Sequence, residues 1–124
     1  MVEILVIDDE LSVAEALRII LEDDGYLVSV ALTGREGIKL AHERCFAVMI
    51  SDYRLPDITG IDVLKAVSKI HPESSTVLIT AYSTPELLAE AHACGIKRVL
   101  TKPFQPSEIL TLLMRLVECT HDTC

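Results

Sequence analysis

The chain has 124 residues, half of them apolar, a length that suits one compact domain and is too short for two ordinary ones. A net charge of −8, with no basic stripe to set against it, argues against direct binding to nucleic-acid backbones. Aromatic residues make up only 4 %, so the core must be built from Val, Ile, Leu and Ala, which suits buried parallel strands covered by helices.

The first apolar run, Ile4–Ile7, is too short for a helix and ends in Asp8-Asp9-Glu10, which an export signal would not tolerate. Val13, Ala14, Leu17, Ile20 and Leu21 then recur at helical spacing; Ser12-x-x-Glu15 reads as a capping box and Gly25 as the stop. A second strand is expected over Leu27–Val30. Thr33-x-x-Glu36 opens the next helix, and the Thr33-Gly34-Arg35-Glu36-Gly37 segment lacks the G-x-G-x-x-G spacing of a nucleotide loop. The third strand, Phe46–Ile50, ends in Ser51-Asp52, and its following helix stops at His71-Pro72. The fourth, Val77–Ile79, ends in Thr80. Thr84 before Pro85 reads as a helix cap and first residue, with Gly95 as the stop. A weaker fifth run, Val99–Leu100, leads through Thr101 to Lys102-Pro103. The last helix carries Ile109, Leu110, Leu112, Leu113, Leu116 and Val117 on its apolar stripe.

This alternation specifies an α/β fold of flavodoxin-like (βα)5 type: a doubly wound parallel sheet between two helical layers, with strand order 2-1-3-4-5. The first, third and fourth strands show little polar alternation and should be buried on both faces. The domain is expected over residues 1–118, with an unstructured tail over 119–124. No apolar stretch reaches bilayer length, so a soluble, cytoplasmic protein without a membrane partner is expected. Cys45, Cys94, Cys119 and Cys124 lack metal or redox spacing and read as reduced thiols, the first two in buried segments. His42, His71, His92 and His121 are equally scattered, which argues against zinc.

Ligands of such sheets bind outside the carboxyl ends of the strands. There the first strand delivers Asp8 and Asp9, the third Asp52, the fourth Thr80 and the fifth Lys102. Singly, each has an ordinary explanation as a cap, a turn residue or a surface charge; all of them at one edge is a much less ordinary coincidence. Crowded carboxylates repel one another, and a hard divalent cation such as Mg²⁺ relieves that repulsion through oxygen ligands. A carboxylate can attack phosphorus to give an aspartyl phosphate, and an ammonium and a hydroxyl can stabilise the transferred group.

At these residues the sequence resembles the receiver domain of bacterial two-component response regulators. The resemblance rests on Ile7-Asp8-Asp9-Glu10, the stretch Ser51-Asp52-Tyr53-Arg54-Leu55-Pro56-Asp57-Ile58-Thr59-Gly60, Thr80-Ala81 and Lys102-Pro103-Phe104, and extends from Val2 to about Val117. It implies that Asp52 is the phosphoacceptor, supplied by a histidine kinase, a phosphotransfer protein or a small phosphodonor. Mg²⁺ would be held by Asp9, Asp52 and the backbone carbonyl of Arg54, with Asp8 acting through water. Lys102 would contact the phosphate across a usually cis bond to Pro103, Thr80 would donate to it, and small Ala81 would leave it room.

Such a domain catalyses only its own phosphorylation and dephosphorylation, and its output lies in a domain or protein outside this length of chain. Homodimerisation stays open, because the position often acidic in dimerising receivers is Arg98. The aromatic switch residue common in receivers is here Val99. Arg54 and Tyr82 occupy positions that influence phosphoryl lifetime in receivers, and their bulk should screen attacking water. Phe104, with Leu11 and Ala14, is a candidate for kinase docking, or else simply packs on the last helix. A haloacid-dehalogenase-like phosphatase would need Asp-x-Asp after the first strand, a flavodoxin-type flavin protein a hydroxyl-rich loop there, and a receiver-shaped module without phosphate would not need the retained site residues.

Overall fold

A computed structural model describes residues 1–119. Five strands and five helices alternate: β1 (Glu3–Ile7), α1 (Leu11–Asp23), β2 (Leu27–Ala31), α2 (Gly34–Glu43), β3 (Val48–Asp52), α3 (Gly60–Ile70), β4 (Ser75–Thr80), α4 (Pro85–Ala93), β5 (Arg98–Thr101) and α5 (Pro106–Cys119). The strands form one parallel sheet in the order β2-β1-β3-β4-β5. Of the tail expected over 119–124, residues 120–124 lie outside the described residues.

Side chains alternate across the sheet and create two cores. Ile4, Val6, Val48, Ile50, Val77 and Ile79 face α1 and α5, where Leu17, Leu21, Ile109 and Leu113 cover them. Leu5, Ile7, Met49 and Leu78 face the other helical layer, represented by Ala41, Ile61, Leu64 and Leu87. The expectation of strands buried on both faces therefore holds for β3 and β4, and for β1 beyond its first residue.

Most helix signals act as expected. Thr33 accepts from the Glu36 amide and Thr84 from the Leu87 amide, while Gly25 and Gly95 take positive φ at the ends of α1 and α4. Ser12 does not cap α1. The helix begins two residues earlier than a Ser12 cap would set it, its cap position is Glu10 without a side-chain bond, and Glu15 pairs with Arg18 instead. The Asp8 carboxylate, accepting from the Glu10 amide, already turns the chain there.

The third strand starts two residues later than its apolar run suggests, because Phe46 fills the core from the preceding loop. That shift leaves Cys45 half-buried in a loop, where it is disulfide-bonded and not the reduced core thiol expected; Cys94 is free and half-buried. The inference of a reducing compartment thus draws no support from Cys45. His71 is held by a contact from its Nε2 to the Ala41 carbonyl at 2.7 Å. Among the described residues no helix is long and apolar enough to cross a membrane.

Gly37 lets α2 lie directly on β1: a Cβ there would sit 2.5 Å from Ile7 Cδ1 and 2.8 Å from its Cγ1. Ile7 is fully buried, so it has little room to yield. Gly37→Val should lower unfolding free energy by about 1–3 kcal/mol through overpacking, read from the urea midpoint. An unchanged midpoint would contradict this account of the packing.

Candidate functional site

Strand register assembles the site. Ile7 pairs with Ser51, so the following residues, Asp8 and Asp52, finish neighbouring strands side by side. Asp52 pairs with Ile79, which sets Thr80 one step beyond it, and Thr80 pairs with Thr101, immediately before Lys102. Parallel strands lie about 4.8 Å apart, so four strand ends form a continuous polar rim. The Lys102 amide also donates to the Thr80 carbonyl at 2.8 Å, fixing the lysine's exit from β5, and the Lys102–Pro103 peptide is cis.

The carboxylate oxygens of Asp8, Asp9 and Asp52 can come within 4.8 Å of one another. Lys102 Nζ lies 3.0 Å from Asp52 Oδ1 and 3.8 Å from Asp8 Oδ2. Asp8 is 1 % exposed and Asp52 9 %, while Asp9 is open to solvent. Burial pushes the Asp8 carboxyl above its ordinary value; the bond from the Glu10 amide opposes this, the charge of Asp52 adds to it, and Lys102 opposes it. Burial acts to lower the Lys102 ammonium, but the hydrogen bond and charge of Asp52, joined by Asp8, outweigh it and raise the pKa. The site is thus a carboxylate cluster with one ammonium, a donor set suited to a hard divalent cation.

A cleft of about 410 Å³ opens over these groups, with Tyr53, Arg54, Ala81 and Tyr82 on its walls. The Arg54 guanidinium carbon stands 5.0 Å from the centre of the exposed Tyr82 ring, a cation–π contact linking the loops after β3 and β4. Thr80 is buried and its hydroxyl accepts from the Tyr82 amide at 3.0 Å. The Tyr53 carbonyl receives the Gly60 amide at 2.8 Å, folding the loop back on itself. Only glycine fits there, because a Cβ at Gly60 would lie 2.1 Å from the Asp52 carbonyl oxygen.

The expected residues Asp8, Asp9, Asp52, Thr80 and Lys102 therefore converge, and Arg54 lines the same cleft. Val99 lies on β5, half-buried against the core behind the sheet, and Arg98 beside it is exposed. Of the docking trio, Leu11 is 58 % exposed, but Ala14 is fully buried under α1 and presents nothing to a partner. Phe104 is half-buried and packs with the α5 core, as the simpler reading has it. Sequence reasoning assigned no role to Glu10, also on the cleft wall, or to Asp57, which accepts from the Gly34 and Arg35 amides.

Residues 4–114 match the response regulator receiver domain. The chain belongs to that family. It is 32 % identical over 120 residues to the transcriptional regulatory protein ZraR of Escherichia coli O157:H7, covering 97 % of this chain and 27 % of that protein. The chain thus spans about a quarter of the length of that relative. A CheY-like receiver from Methanospirillum hungatei JF-1 superposes with a TM-score of 0.94 at 26 % identity, covering 97 % of this chain and 96 % of the other. The chemotaxis protein CheY4 of Vibrio cholerae gives 0.89 at 34 % identity over 94 % and 98 % of the two chains. The phosphatase and flavin-protein alternatives find no favour among these relatives.

Receiver domains typically bind Mg²⁺ at an acidic cluster, and this receiver presents one. Raising a buried carboxyl's pKa above the unfolded value of about 3.9 means that the native state holds a proton the unfolded chain releases. The contribution of Asp8 to stability therefore falls as pH rises through that window. In metal-free buffer, Asp8→Asn should unfold at higher urea than wild type at neutral pH, with the difference shrinking on acidification. A variant less stable than wild type at neutral pH would contradict this electrostatic reading.

Proposed function

We propose that Asp52 of this receiver takes up a phosphoryl group from a phosphohistidine or a small acyl phosphate, and that Asp9, Asp52 and the Arg54 carbonyl hold Mg²⁺ beside it, with Asp8 in support. The observation that carries this reading is the ammonium of Lys102 at 3.0 Å from an Asp52 oxygen inside a cluster of three carboxylates. An Asp52 oxygen attacks phosphorus; the bond to the donor's nitrogen or oxygen breaks, and the leaving group departs with its electron pair. Mg²⁺, when bound, supplies positive charge next to the transferring group. Lys102 orients Asp52 before transfer and then pairs with a phosphate oxygen, and the Thr80 hydroxyl donates to another. Ala81, with only a methyl group at the cleft wall, leaves space for the product.

The chemistry this assigns is self-phosphorylation and hydrolytic dephosphorylation, with no turnover of other substrates. A sensor histidine kinase or phosphotransfer protein is the proposed donor, the output is a domain or protein beyond these residues, and the proposed compartment is the cytoplasm. Intact-mass measurement after acetyl phosphate and Mg²⁺ tests the reading: wild type should gain one phosphoryl group, and Asp52→Asn none. Equal gain in both, or none in either, would refute it.

Arg54 and Tyr82, stacked on each other at the mouth of the cleft, are proposed to slow hydrolysis of the aspartyl phosphate by restricting water. Arg54→Ala and Tyr82→Ala should each lose the phosphoryl group several-fold faster than wild type in a dephosphorylation time course. Unchanged rates in both would reject the screen.

A further inference from the structure

We infer that Asp57 is a positioning residue for the phosphorylation centre, pinning the loop between β3 and α3 to the N-terminus of α2. Its two carboxylate oxygens divide their work: Oδ1 accepts from the Gly34 amide and Oδ2 from the Arg35 amide, each at 2.9 Å. These are the first two amides of α2, and the helix's own cap, Thr33, serves a different one, that of Glu36. Arg35 adds a peripheral charge, its Nε 3.9 Å from Oδ2. The Asp57 side chain is only 20 % exposed although it lies on a surface loop.

The neighbouring residues press the same contact. A Cβ on Gly34 would fall 2.6 Å from Ile58 Cγ1 and 2.7 Å from Val63 Cγ2, so the loop and α3 lie against bare backbone at the start of α2. At its other end the loop is closed by the Gly60 amide on the Tyr53 carbonyl. Arg54, Leu55 and Pro56 are strung between these anchors. Holding both ends restricts where the Arg54 carbonyl can lie relative to the Asp52 carboxylate. Releasing Asp57 frees one end, and the proposed cation must then order the loop itself, which costs affinity.

This inference rests on the proposed Mg²⁺ site, and linkage makes it reciprocal: a cation that orders the loop must protect the α2 amides to the same extent. The test is calorimetric Mg²⁺ titration of the folded chain without phosphodonor, well below each variant's unfolding midpoint, together with hydrogen exchange at the Gly34 and Arg35 amides. Asp57→Ala should bind Mg²⁺ about three- to tenfold more weakly than wild type, and Asp57→Asn, which keeps one carbonyl acceptor, should fall between them. Thr33→Ala removes the cap of the same helix without touching the loop, and should bind like wild type. Mg²⁺ should slow exchange at both amides in wild type and much less in Asp57→Ala.

If wild type binds and Asp57→Ala or Asp57→Asn matches it, the positioning role is wrong while the metal site stands. Equal weakening by Thr33→Ala would reduce the effect to the stability of α2 and overturn the inference. A wild type that does not bind Mg²⁺ removes the metal reading, and this inference with it. Should Asp57→Ala fail to fold, Asp57→Asn against Thr33→Ala carries the same decision.

Discussion

Mutual repulsion among Asp8, Asp9 and Asp52 is the constraint around which this receiver is built. Three carboxylates within reach of one cation, one of them almost wholly buried, are costly unless positive charge is supplied. Lys102 supplies part of it by direct contact with Asp52 and more distant attraction to Asp8. One ammonium does not balance three acids, and the remaining deficit makes the rim receptive to a hard divalent ion.

The rest of the fold keeps these charges from relaxing apart. The acids sit at the ends of β1 and β3, strands packed between two helical layers and paired in fixed register, so separating them would mean sliding a buried ladder. Lys102 is held by the hydrogen bond its backbone N–H donates to the Thr80 carbonyl at the end of β4. The loops after β3 and β4 carry Arg54 and Tyr82 in contact over the cleft. Val99, where an aromatic side chain often stands in receivers, is here a smaller side chain half-buried against the core.

The sheet, its order and the five converging polar groups could be read from residue order because they depend on short-range regularities. A β-branched run such as Ile4–Ile7 makes a strand, and the one or two residues after a strand land at its carboxyl edge. Thr33, Thr84, Gly25 and Gly95 acted as local backbone chemistry dictates. Ser12 misled because Asp8, bonding the Glu10 amide, turned the chain two residues earlier than a capping box at Ser12 would. Phe46 misled because burial does not require a strand. Asp57 could not be seen at all: its partners are 22 and 23 residues away, and a loop aspartate carries no mark of the helix it will meet. The bonded state of Cys45 was likewise hidden, since sequence spacing does not report pairing.

Locating a cation directly tests the central claim. Crystals soaked in Mn²⁺, which takes the same oxygen ligands and scatters anomalously, should show one strong anomalous peak within about 2.5 Å of carboxylate oxygens from both Asp9 and Asp52. A peak bound elsewhere, or none at the rim while these side chains are well ordered, would contradict the account.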